Sequence, residues 1–248
     1  MLRVIIISAL VAVTLDCCYA YSLSAYGSRI VGGRDTTIEQ HPYQVSLLFG
    51  NTHSCGGSLI AKNWVLTAAH CIIPTNYNVR VGSTIKEQGG IVHKVKQQYK
   101  HNFNESTADY DYALIELETP VEINDKVNII KLADENSELK PGTKLVVTGW
   151  GLTEPGPPTD ILQELTVSYV TQEECEKVYP GLLTDRMFCA GGEDGKGICS
   201  NDSGGPIVAD GVQYGIVSFA TECGHAGIPG VYAKISTVRK WIKDISGV

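Results

Sequence analysis

The 248-residue sequence lacks a surplus of positive charge: 20 Lys and Arg stand against 27 Asp and Glu, a formal net charge of −7. A negative surface repels phosphate backbones and anionic bilayers, so no nucleic acid and no membrane is expected as a partner. No Cys-x-x-Cys pair or clustered His/Cys spacing occurs, which argues against a zinc site. The Gly82–Gly90 loop holds one carboxylate, Glu87, too few oxygen ligands for calcium. Neither metal nor cofactor is expected. Apolar runs of membrane-spanning length are also missing: Val4 to Leu15 falls short of the ~20 residues a bilayer requires. With Arg3 before that run and the small Ala20 after it, residues 1–20 read as a secretory signal in preference to an anchor, and the protein as secreted and extracellular.

Helical periodicity is equally scarce. The one stretch that carries it is terminal, around Thr237–Ile245, with Val238, Trp241, Ile242 and Ile245 on one side. Elsewhere short apolar segments alternate with Gly, Pro and Asn turns. They run Tyr43–Leu48, Ser58–Ile60, Trp64–Leu66, Val79–Val81, Ile91–Val95 and Tyr112–Leu117 in the first half. Lys144–Trp150, Leu162–Tyr169, Pro206–Ala209, Val212–Phe219 and Gly230–Lys234 follow in the second. Strands at this spacing predict an all-β sandwich or barrel.

The chemistry concentrates in Gly197-Ile198-Cys199-Ser200-Asn201-Asp202-Ser203-Gly204-Gly205-Pro206. Small neighbours open Ser203 to a carbonyl, and a tight turn can aim backbone N–H groups at a developing oxyanion. Ser-Gly-Gly-Pro alone is equally an ordinary loop, and the distinction rests on whether the chain supplies a base and an orienting acid. Of six histidines, only His70 sits among small residues closing on a cysteine (Leu66-Thr67-Ala68-Ala69-His70-Cys71); His41, His53, His93, His101 and His225 read as surface residues. The orienting carboxylate should border an apolar strand, which selects Asp111, before Tyr112-Ala113-Leu114-Ile115, over Asp109.

The order His70, Asp111, Ser203, carried by Ala-Ala-His-Cys, Asp-Tyr-Ala-Leu and Asp-Ser-Gly-Gly-Pro, resembles the chymotrypsin/trypsin family of serine endopeptidases. Arg29-Ile30-Val31-Gly32-Gly33, Cys55-Gly56-Gly57-Ser58, Gly149-Trp150-Gly151 and Pro229-Gly230-Val231-Tyr232 extend the likeness from Ile30 to the C-terminus. The resemblance implies two six-stranded antiparallel β-barrels with a C-terminal helix, the chain crossing between them near 125–145 and the active site lying in the cleft. It implies His70 as base, Asp111 as its orienting group, Ser203 as nucleophile, and the N–H groups of Asn201 and Ser203 as the oxyanion hole. Cys17 and Cys18 leave with the signal, and six cysteines in an oxidising compartment suggest three disulfides with 15 possible pairings; the family selects Cys55–Cys71, Cys175–Cys189 and Cys199–Cys223. Arg29–Ile30 resembles an activation site, with 21–29 as propeptide and 30–248 as peptidase domain. The freed Ile30 ammonium would pair with Asp202, a zymogen switch. That mature chain has 18 basic and 26 acidic residues.

Two departures bear on activity. Gly197, followed by Ile198, stands where trypsins carry an aspartate, so no carboxylate neutralises a basic side chain. With walls at Ser218, Phe219 and Ala220 and an open Gly230, the pocket is expected to be apolar and roomy. That is chymotrypsin-like, with an elastase-like preference as the near alternative. Asn201 replaces the usual glycine at the oxyanion hole, though asparagine tolerates positive φ. The expected protein is a digestive endopeptidase and a monomer. It acts on protein or peptide substrates, is activated by a trypsin-like protease and is controlled by protein inhibitors. The alternative is a silent homologue acting as a binding module. Asn104-Glu105-Ser106 is a possible glycosylation site in a polar loop; Asn201-Asp202-Ser203 fits the same pattern by chance.

Overall fold

The computed structural model describes residues 32–73, 77–151 and 160–248; residues 1–20, the segment 21–29, Arg29 and Ile30 lie outside them. After β1 (Arg34–Asp35), six strands close the first barrel: β2 (Gln44–Phe49), β3 (Thr52–Ala61), β4 (Trp64–Thr67), β5 (Tyr77–Val81), β6 (Ile91–Lys100) and β7 (Ala113–Leu117), in the order β2-β3-β4-β7-β6-β5. Its lining comes from alternate or continuous apolar positions: Val45, Leu47, Leu59, Val65, Leu66, Val79, Leu114 and Ile115 are all buried. The apolar alternation of Val79 and Val81 shows the expected period of two, while β2 is buried from Gln44 to Leu48 and β4 throughout.

The link to the second barrel carries β8 (Lys131–Leu132), which pairs in parallel with a later strand. The second barrel follows with β9 (Lys144–Gly149), β10 (Gln163–Val170), β11 (Met187–Gly191), β12 (Pro206–Ala209), β13 (Val212–Phe219) and β14 (Pro229–Lys234). The order β10-β11-β14-β13-β12-β9, with β9 returning to β10, closes it as six strands. Leu145, Val147, Val167, Ile207, Val217 and Tyr232 fill its interior.

Among the described residues two α-helices accompany the barrels, where periodicity predicts one. Helix α1 (Gln172–Val178) is held at its start by a reciprocal capping box between Thr171 and Glu174 and carries Cys175 to its disulfide with Cys189. Seven residues make two turns, too few to display a 3.6-residue period. Helix α2 (Arg239–Ser246) ends at Gly247 in the left-handed conformation.

The chain ends cross over. β1 pairs with β10 of the second barrel, Arg34 opposite Glu164, while Val238 and Ile242 at the C-terminal end are buried in the first barrel's core cluster. Among the described residues no helix is long and apolar enough to cross a membrane. Cys55–Cys71, Cys175–Cys189 and Cys199–Cys223 are bonded.

Candidate active site

His70 lies on a single helical turn, Ala69–Cys71, at the end of β4, and the Cys55–Cys71 disulfide ties that turn to β3. Asp111 lies two residues before β7, and the antiparallel pairing of β4 with β7 (Thr67 opposite Ala113) brings the two residues together. Asp111 is 1% exposed. Its Oδ2 lies 2.7 Å from His70 Nδ1, and its Oδ1 accepts the His70 backbone N–H at 3.0 Å. Ser218 Oγ donates to the same Oδ2 at 2.6 Å. Three hydrogen bonds therefore hold the buried carboxylate, and an acceptor at Nδ1 leaves Nε2 as the basic nitrogen. Asp109 points elsewhere: its carboxylate accepts Arg186 Nε and Nη2 and Thr184 Oγ1. Burial works to raise its pKa, but these donors and the Tyr110 N–H hold it below the usual value.

Ser203 reaches the cleft from the second barrel on the turn before β12. Gly204 has φ +79°, and a Cβ there would overlap the Thr67 hydroxyl and lie 2.6 Å from the Gly56 carbonyl. Only glycine lets the Ser203 turn press this closely on the first barrel. Gly56 N–H donates to the Ser203 carbonyl at 2.8 Å. Neither the Asn201 nor the Ser203 N–H donates to any group among the described residues. No hydrogen bond joins His70 Nε2 to Ser203 Oγ among the described residues; Nε2 lies 3.8 Å from Cys71 Sγ. In enzymes without substrate this contact is often long and tightens on binding.

Asp202 is fully buried, its carboxylate accepting the N–H groups of Gly151 (2.9 Å) and Cys199 (3.0 Å). A side chain at Gly151 would overlap that carboxylate, which accounts for the glycine after Trp150. Burial pushes the Asp202 pKa up to about 7, the two N–H donors opposing it.

A cavity of about 220 Å³ opens beside Ser203, lined by Ile198, Cys199, Val217, Ser218, Phe219 and Ala220 among others, with no carboxylate. The floor differs from the roomy pocket expected. Gly230 is not open, because a Cβ there would come within 2.8 Å of Ile198 Cδ1, so the buried isoleucine caps the depth that glycine would have left. Gly197 faces the Gly224 backbone at 2.7 Å from an added Cβ, out of the lining. Asn104 is exposed in the loop between β6 and β7, its Oδ1 accepting the Ser106 N–H.

The expectation of five surface histidines is corrected for three. His41 sits 2.6 Å from Glu164, His93 bonds Thr119, and His53 bonds Ser46 and the Asn201 carbonyl; all three are buried. Sequence patterning missed His53, whose partner lies 148 residues away.

Comparison with known proteins agrees with this geometry. A family profile described as Trypsin matches residues 30–242. Trypsin 5G1 of Aedes aegypti is 45% identical over 228 residues, 89% of this chain and 86% of that protein. A vitellin-degrading protease of Bombyx mori is 41% identical, covering 87% and 85% of the two chains. Among solved structures, neuropsin, a serine protease expressed in the limbic system of mouse brain, superposes with a TM-score of 0.80. It is 38% identical, covering 86% of this chain and 97% of its own.

Proposed function

The chain belongs to the trypsin family of serine proteases, and on that premise we propose that it is a secreted endopeptidase, made as a zymogen, that cleaves after apolar residues through an acyl-enzyme. The observation that carries the reading is the buried His70–Asp111 pair, whose acid is bonded by Ser218 from the same pocket that Ser203 lines, with the Asn201 and Ser203 N–H groups unbonded among the described residues. In this mechanism Nε2 of His70 takes the Ser203 proton as Oγ attacks the scissile carbonyl. Asp111 holds the ring and stabilises the imidazolium. The Asn201 and Ser203 N–H groups receive the oxyanion. His70 then protonates the leaving amine, and water repeats the sequence to release the acyl group.

Specificity follows the pocket and not the relatives' names. Several relatives are called trypsin, yet no carboxylate lines this cavity, and an ammonium or guanidinium held there unpaired would cost several kcal/mol. Ile198 at the floor favours Leu and Met over the larger Phe and Tyr. Cleavage after Arg29 then requires a separate trypsin-like activator, and the Ile30 ammonium would neutralise Asp202, whose pKa burial holds up at about 7. A digestive role is consistent with the insect trypsins among the relatives.

A fluorophosphonate probe should label Ser203 of the Arg29-cleaved protein, and Ser203→Ala should abolish both label and hydrolysis. Absence of label on the cleaved wild type would favour a silent binding homologue. Peptide-library profiling should place apolar residues before the scissile bond; dominant cleavage after Lys or Arg would refute the pocket assignment.

A further inference from the structure

Strand β3 belongs to the first barrel, yet it grips the nucleophile loop of the second at two carbonyls. Gly56 N–H holds the Ser203 carbonyl, and His53 Nε2 lies 3.1 Å from the Asn201 carbonyl. These are the carbonyls of the two residues whose N–H groups are left unbonded. One anchor is backbone and present whatever the side chain. The other depends on a single imidazole.

His53 is 7% exposed and set on every side. Ser46 Oγ, on β2, lies 2.8 Å from Nδ1. A hydroxyl donating there leaves the proton on Nε2, the tautomer that donates to the Asn201 carbonyl. The ring meets Trp150 edge-on at 5.6 Å, and the His53 backbone N–H donates to Glu87 Oε1 at 3.1 Å. Burial lowers the His53 pKa to about 4, which favours the neutral ring. The residue it grips needs gripping: Asn201 has φ +71°, a conformation that side-chain-bearing residues disfavour and that glycine would hold freely.

We infer that His53 is a positioning residue for hydrolysis: its Nε2–H holds the Asn201 carbonyl so that Asn201 stays left-handed and its N–H faces the acyl oxygen. The inference rests on the proposed peptidase site. His53 touches neither substrate nor reacting atoms and acts only through Asn201.

The test uses the full chain cleaved after Arg29. Fluorophosphonate labelling of wild-type Ser203 comes first; if it fails, the peptidase reading falls and not the role of His53 alone. His53→Phe keeps the aromatic contact with Trp150 but removes the donor. It should lower kcat about 10- to 100-fold with KM unchanged, below the ~10²–10³ lost with a whole oxyanion donor. Affinity for a peptide boronate, which mimics the tetrahedral adduct, should fall by the same factor, while a non-covalent product peptide binds as before. His53→Gln, whose amide N–H can reach the same carbonyl, should restore most of kcat. Should His53→Phe fail to fold, Ser46→Ala decides: loss of the tautomer-setting bond should lower kcat a few-fold at constant KM. Wild-type kcat and boronate affinity in His53→Phe would overturn the inference. So would equal losses in boronate and product-peptide binding, or an unchanged kcat in a folded Ser46→Ala where that variant must decide.

Discussion

The turn that carries His70 and the segment that carries Ser203 are built on opposite plans. The first is short and ordinary: Ala68 and Ile72 flank it with extended backbone, a disulfide closes it, and Asp111, which bonds His70, lies just before the neighbouring strand of the same barrel. The second runs from Gly191 to Gly205 through five residues at positive φ, Gly191, Gly192, Gly195, Asn201 and Gly204. Beyond Gly191 no strand ladder holds this path, and much of its support comes from outside the segment: β3 at two carbonyls, the Gly151 N–H on Asp202, and Cys223 through its disulfide with Cys199. The His70–Asp111 pair thus forms within one barrel and takes one further bond from Ser218 of the other, whereas the Ser203 turn is held at several points by groups outside its own segment. Chemistry at the second is inseparable from what packs against it.

Asp111→Asn attacks the first-barrel half and should show the largest effect, a fall in kcat of about 10⁴-fold, the scale known for this change in the family. The melting temperature should move little beside that loss. A large destabilisation would mean that the His70–Asp111 pair is structural cement for the barrel and erase the contrast.

Asp202→Asn attacks the dependent half, and its signature is pH dependence. The folded pKa is raised, so the folded protein holds its proton up to about pH 7 while the unfolded chain releases it near 3.8. Between those values the folded state binds more protons, and stability falls as pH rises, by on the order of 4 kcal/mol at neutrality. Melting of the uncleaved protein across pH 4–7 should show this decline, and Asp202→Asn should flatten it while leaving the cleaved enzyme poorly active. A wild-type curve that stays level would mean a cation already sits against the carboxylate before cleavage.

Ile198→Ala should give the smallest change. Clearing the floor over Gly230 should shift preference from Leu toward Phe and Tyr by roughly 10- to 200-fold in kcat/KM, the range that such changes of pocket volume command. An unchanged preference would place the selectivity in the Ala220 mouth instead.

Much of this contrast was readable in the chain before folding. His70, Asp111 and Ser203 each announce themselves locally, by small neighbours, a following apolar run, or a glycine pair. Alternation placed most strands within a few residues, although β3 and β6 run well beyond their apolar segments as barrel ladders continue through polar positions. Helix α1 escaped notice despite its Thr171–Glu174 signal, and β11, buried across four of its five residues, shows no alternation to read. What no local pattern could reveal is contact at a distance. Polar residue type argues that His53 is exposed, while the partners that bury it are Ser46 and an asparagine carbonyl far along the chain. In the same way Ile198 and Gly230 are unremarkable apart and decisive together.

The crossed chain ends have a consequence for how the protein comes into being. Synthesis delivers every strand of the first barrel well before Val238 and Ile242, which complete its core cluster, and before Trp241, which packs on His101 at 4.9 Å. β1, made earlier than any of them, waits for β10. Neither half can therefore mature alone on the ribosome. Folding must proceed late and in concert, with the slow kinetics of long-range pairing. Grafting a foreign second half onto this first one would need to match that embrace at both ends before it could match the cleft.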